Sequence, residues 1–142
     1  MINSRKLEDL TPKLARLCQT FIDNCQAAGT DVIITSTYRD NESQDAIYAQ
    51  GRTTPGSKIT NCPGGESMHN YRVAFDFVPT DSKGKPVWGD ALLWAKCGKI
   101  GEDLGLEWGG SWKSFKDKPH FQIPGLTIAE LKRISTTRVL AN

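Results

Sequence analysis

Histidine is scarce in this chain. There are two in 142 residues, His69 and His120, so any imidazole chemistry has only those candidates. Charge of one sign is lacking too. A formal net charge of +2 does not build the basic face that nucleic-acid binding uses, and no nucleic-acid partner is expected. No apolar run approaches the roughly 20 residues of a membrane span, which predicts no membrane partner. The opening residues, Met1 to Lys6, lead into no apolar signal core, so the expectation is a protein made in the cytoplasm with no visible export signal. The four cysteines, Cys18, Cys25, Cys62 and Cys97, form no CxxC pair, and a cytoplasmic origin favours free thiols. Repeats, low-complexity tracts and long linkers are missing as well. What remains is a single domain over 1–142, long enough for a core of its own and expected to be a monomer.

The apolar pattern places the elements. Thr11-Pro12 reads as an N-cap followed by proline at the first helical position. From there Leu14, Leu17, Cys18, Phe21, Ile22 and Cys25 recur at helical spacing until Gly29, which puts Cys18 and Cys25 in the core. The β-branched run 31–36 predicts a strand, 42–50 a helix stopped by Gly51, and 73–78 a second strand. Residues 52–66, rich in Gly, Pro, Ser, Thr and Asn, form a loop longer than a plain connector needs. Asp90 caps a third helix through Leu104. Two short strands, 106–108 and 120–122, flank an aromatic, basic loop, and Thr127 with Glu130 opens a last helix by a capping-box pattern. Helices and strands mix without strict βαβ alternation. That predicts an α+β fold, a small antiparallel sheet with helices packed on it.

Within "SMHNYRVAFDF", residues 67–77, a carboxylate interrupts an apolar strand seven residues after His69. An unpaired buried carboxylate is costly, so Asp76 needs a partner. Arg72, four residues away, or a lysine would serve. So would a metal: His69, Asp76 and His120 make the three-ligand set of a catalytic zinc site with its fourth position open. Glu107, in "GLEWGG", sits at a strand end, either as a general base or as a plain surface charge. Spacing alone leaves these alternatives open. Tyr71, Trp88, Trp108, Trp112 and Phe115 are candidates for lining a peptide groove, although Trp88 and Phe115 read rather as core and Trp112 as partly exposed. Lys113, Lys116 and Lys118 read as a solvated loop, with contact to substrate carboxylates as the alternative. Asp117 is either a turn residue or a hydrogen-bond acceptor for a ligand histidine.

"SMHNYRVAFDF" resembles the SxHxxGxAxD motif of the zinc-dependent peptidoglycan peptidases, the family of D-alanyl-D-alanine carboxypeptidases and dipeptidases and of phage L-alanyl-D-glutamate endopeptidases. Ser67, His69, Ala74 and Asp76 match. Arg72 stands where the motif has glycine, which predicts a turn relaxed differently or an arginine facing solvent or substrate. "LEWGGSWKSFKDKPHFQ", 106–122, resembles the family's base segment and distal histidine. "TSTYRDNESQDAIYAQGR", 35–52, resembles its strand, Tyr-Arg turn and helix.

The resemblance implies a DD-peptidase-like (Hedgehog-type) fold, with Zn2+ held by His69, Asp76 and His120. It implies Glu107 as catalytic base and Arg39 as the arginine that binds substrate and stabilises the charged intermediate. Ser67 orients the site, and Ser67, Arg39 and Trp112 are placed in substrate binding. The implied reaction is hydrolysis of an amide in the peptidoglycan stem peptide. L-alanyl-D-glutamate is the preferred bond, cut by a phage endolysin held in the host cytoplasm until release to the cell wall. That preference rests on size and on the lack of a signal core. A D-alanyl-D-alanine carboxypeptidase or dipeptidase is the rival, followed by a non-catalytic cell-wall-binding module and by a cysteine hydrolase built on Cys62 and His69.

Overall fold

Four strands form one antiparallel sheet in the order β1-β2-β4-β3, where β1 is Val32–Ser36, β2 Ala74–Pro79, β3 Glu107–Trp108 and β4 His120–Gln122. The structure is a computed structural model and describes residues 1–136. Its helices are α1 Pro12–Ala27, α2 Asn41–Ala49, α3 Ala91–Asp103 and α4 Ile128–Thr136, with short 3-10 turns at Leu7–Asp9, Met68–Tyr71 and Gly109–Ser111. This is the α+β arrangement that the pattern of apolar residues predicts. Asp40 and Asp90 cap α2 and α3 by accepting from Ser43 N at 2.8 Å and Leu93 N at 3.1 Å. Thr11 holds the N-cap position before Pro12, yet its side chain makes no cap bond.

Successive side chains of a strand point to opposite faces, and the strand register makes one face core and the other a polar site. Phe75 and Phe77 of β2 and Phe121 of β4 are fully buried on the core face. Phe21 of α1 meets these three rings at 5.8, 5.0 and 5.0 Å between centroids. Each buried ring contributes about 2 kcal/mol. Leu14, Cys18, Phe21 and Cys25, the stripe along α1, are all buried as the helical spacing requires. On α3 a Cβ added at Gly98 or Gly101 would collide with the ring of Trp108 or of Phe121. Glycine is what lets this helix lie so close to β3 and β4.

The opposite face carries the polar residues. Cross-strand pairing sets Ala74 opposite Gln122 and Asp76 opposite His120, while Glu107 lies opposite Gln122 on its other side. The long segment after α2 has no regular structure but is firmly held by that helix. Gln44 Nε2 donates to Cys62 O at 2.8 Å, Gly64 N to Asp45 Oδ1 at 2.7 Å, and Arg52 to Tyr48 O and Thr60 O at 2.7 and 3.0 Å.

Two expectations about aromatic residues are overturned. Trp88 is 61% exposed and Phe115 81% exposed, although both read as core. Trp88 meets Trp94 at 5.9 Å and leaves the rest of its ring outside. Phe115 belongs to the loop before β4 and lines the cavity over the polar face, outside the core.

Candidate active site

Asp76 and His120 meet because their strands pair them. Asp76 Oδ1 lies 3.3 Å from His120 Nδ1 and 3.1 Å from His69 Nε2. One ligand atom from each of the three residues lies within 4.8 Å of the other two. His69 arrives on the 3-10 turn that Ser67 opens, with Ser67 Oγ accepting from His69 N at 3.2 Å and Asn70 Oδ1 accepting from Ser67 N at 3.1 Å.

The turn closes at Arg72, whose φ of +65° and ψ of +23° are left-handed. The residue in the motif's glycine position therefore keeps the conformation that glycine adopts freely, and the relaxed turn expected from the sequence is not found. Its guanidinium stacks 3.8 Å over the Tyr38 ring and donates to Asp9 O at 2.9 Å, contacts that offset the backbone cost.

The outer nitrogens of both histidines decide what the inner ones present. His69 Nδ1 lies 2.9 Å from Thr37 O. A carbonyl only accepts, so Nδ1 carries the proton and Nε2 turns a lone pair toward Asp76. His120 Nε2 lies 2.8 Å from Gln122 Oε1, and Gln122 Nε2 donates to Glu107 Oε2 at 3.4 Å. That orientation of the amide makes His120 Nε2 the donor and leaves Nδ1 as a second inward lone pair. Two nitrogen lone pairs and a carboxylate oxygen then face one point, an arrangement that repels itself unless a cation lies there. The donor set, with both outer N–H groups anchored, fits a divalent metal.

Burial opposes charge on Asp76, yet His69 and His120 beside it hold its carboxyl well below the usual carboxylate range. Burial also works to lower His120, and the hydrogen bond and charge of Asp76 outweigh it, so His120 is raised.

A cavity of about 640 Å³ opens over these donors, bordered by the 59–62 and 115–117 stretches. Arg39, Ser67 and Trp112 line it, as expected of substrate-contacting residues. Arg39 donates to Gln44 Oε1 at 2.9 Å and to Ser36 Oγ at 3.1 Å, and stands 4.0 Å from Asp76 Oδ2. Its Nε is buried without a hydrogen-bond partner. Tyr71, Trp88 and Trp108 do not line the cavity, and of the three loop lysines only Lys116 does. No hydrogen bond joins Cys62 to His69, whose ring nitrogens face Thr37 and Asp76.

Glu107, the expected base, stands on the same face of the sheet as Asp76 and His120, because it pairs with Gln122 across the strands. Its Oε2 accepts from Trp112 Nε1 at 2.9 Å and from Gln122 Nε2 at 3.4 Å, and both of those residues line the cavity. Glu66 and Asp117 also line it, from loops. Burial, and then the charge of Asp76, raise the carboxyl pKa of Asp117. Its backbone oxygen accepts from His120 N at 3.1 Å, so it is a turn residue, and Gln122 instead serves the ligand histidine. The signal for it in the sequence was an aspartate three residues ahead of a ligand, close enough for one tight turn.

Residues 60–123 match a family model described as D-alanyl-D-alanine carboxypeptidase. The match spans less than half of the chain. Among relatives of the chain, the peptidoglycan L-alanyl-D-glutamate endopeptidase CwlK of Bacillus subtilis is 41% identical over 103 residues, 67% of this chain and 62% of its own. The L-alanyl-D-glutamate peptidase of Listeria phage A118 is 34% identical over 129 residues, 86% of this chain and 40% of its own. The chain thus spans less than two thirds of the length of either relative. The fold also occurs in the L-Ala D-Glu endopeptidase ChiX of Serratia marcescens, with a TM-score of 0.60, 22% identity and 82% of each chain covered. It recurs in the vancomycin-resistance D,D-pentapeptidase VanY in complex with Zn(II), with a TM-score of 0.62, 14% identity, and 94% and 84% covered.

Proposed function

We propose that this chain is a zinc-dependent endopeptidase that hydrolyses the L-alanyl–D-glutamyl amide of the peptidoglycan stem peptide. The observation that carries the reading is the convergence of His69 Nε2, Asp76 Oδ1 and His120 Nδ1 on one point, under a cavity that also holds Arg39 and Asp117. When bound, zinc supplies Lewis acidity toward the scissile carbonyl and the attacking water. The remaining roles fall to side chains. Thr37 and Gln122 hold the two imidazoles in the tautomers that present their inner nitrogens. Glu107 accepts the water's proton and returns it to the leaving amine, its Oε2 held by Trp112 Nε1 and Gln122 Nε2. Arg39 brings a fixed positive charge to the carbonyl oxygen as charge develops there.

The two relatives named for L-alanyl-D-glutamate cleavage support the choice of bond, and the phage relative supports an endolysin that leaves the host cytoplasm to act on the wall. Release of D-alanine is the second reading, favoured by the description of the matched family. Mass spectrometry of peptides released from purified peptidoglycan, with and without a chelator and added zinc, separates the two. Chelator-sensitive cleavage between L-alanine and D-glutamate is expected. Free D-alanine would transfer the chain to the second reading, and no metal-dependent release would end the enzyme reading. In the same assay Glu107→Gln should lower turnover about 100-fold or more with zinc retained, while Asp117→Asn should keep most activity. The reverse order would move the base to Asp117.

A further inference from the structure

Phe115 combines three properties that packing does not explain. It is 81% exposed, it holds a φ of +52°, and it lines the cavity that contains Asp76 and His120. A bulky residue in the left-handed region is strained. Arg72, the other non-glycine residue with positive φ, is tied down by Tyr38 and Asp9. No ring contact anchors Phe115 in that way among the described residues. Strain kept without a packing reason, at the rim of a cavity, points to a ligand.

The neighbours of Phe115 indicate what kind. Ile59, 62% exposed, borders the same cavity from the loop after α2, so two apolar side chains from separate loops overhang it. Lys116 lines the cavity as well, and exposed Lys113 and Lys118 flank it in the chain. Of the cavity's acidic groups, Glu66 is paired with Lys132, Asp76 is given to the metal donors, and Asp117 is outnumbered by the three lysines of its own loop. A ligand for this rim has small apolar groups and a negative charge.

We propose that Phe115, Ile59 and Lys116 form a substrate subsite for the anionic stem peptide beside the scissile amide. Phe115 and Ile59 pack on the alanyl methyl group, and Lys116 meets the free carboxylate of the D-glutamyl residue. The name of the ligand rests on the peptidoglycan reading above; the existence of the subsite rests on the strained, exposed rim.

The test is calorimetric binding of an N-acetylmuramoyl tripeptide, with its L-alanyl–D-glutamyl amide reduced to an uncleavable amine, to the zinc-loaded protein. Glycine accepts a positive φ, so Phe115→Gly removes the ring without adding strain. It should weaken binding about tenfold while the melting temperature stays level or rises. Phe115→Leu should recover most of that loss, and Lys116→Ala should weaken binding about threefold at low salt and less at high salt. Equal affinity of wild type and Phe115→Gly overturns the subsite, as does a drop in melting temperature that accounts for the loss, or a wild type that does not bind. If wild type binds the analogue with this pattern but leaves the ordinary peptide uncut, the peptidase reading fails and the subsite stands. If it cuts the peptide and Phe115→Gly binds as wild type, the subsite fails alone.

Discussion

Residues 67–76 and 107–122 deliver metal donors to the same point by different means. In the first stretch local bonds build the turn. Ser67 caps the turn that carries His69, Asn70 reaches back to Ser67, and Arg72 reverses the chain into the strand that bears Asp76. In the second, His120 is oriented by Gln122, and Gln122 by Glu107, which is fifteen residues away along the chain. Trp108 and Phe121 set the height of those strands by resting on the glycines of α3, and Trp108 Nε1 donates to Lys118 O at 2.8 Å. The near stretch builds its turn from its own sequence and takes its outer anchors from Thr37, Tyr38 and Asp9. The far one borrows its geometry from a neighbouring strand and a remote helix.

That contrast can be broken at its weakest relay. Gln122→Ala should lower zinc affinity about 10- to 100-fold, measured by competition with a chromophoric chelator, with an unchanged circular dichroism spectrum. Unaltered affinity would show that His120 needs no outer partner. Gly101→Ala tests the remote support. The added Cβ meets the Phe121 ring, so unfolding in urea should show a loss of about 1–3 kcal/mol, whereas the higher helix propensity of alanine alone would stabilise. Arg72 sharpens the local side. Arg72→Ala keeps the left-handed strain and loses the contacts to Tyr38 and Asp9, at a cost of about 1 kcal/mol. Arg72→Gly loses the same contacts but removes the strain, so it should cost less, and zinc affinity should stay level in both. A glycine variant less stable than the alanine variant would show that strain is not what the arginine contacts offset.

Much of this was legible along the chain. The α1 stripe from Leu14 to Cys25 is buried as its spacing requires, and Asp90 caps the helix it was expected to cap. The carboxylate inside an apolar strand marked Asp76, and a motif match brought His69 and His120 to it. The direction of Glu107 was not legible, because strands of two and three residues are too short for a period to show which way a side chain turns.

Residue type, helical periodicity and capping are properties of neighbours in sequence, so the amino-acid order by itself determined the α+β class, the core stripe and the identity of the converging donors. The direction of each side chain across the sheet was decided only by tertiary structure. Register pairs Glu107 with Gln122, which puts its carboxylate on the same face as Asp76 and His120, while the Asp117–His120 turn sets another in the cavity wall. The same loop holds Phe115 out in solvent at the border of the cavity, away from the core on the other face of the sheet. Pairing and exposure of this kind depend on elements far apart in the chain, and no local pattern encodes them.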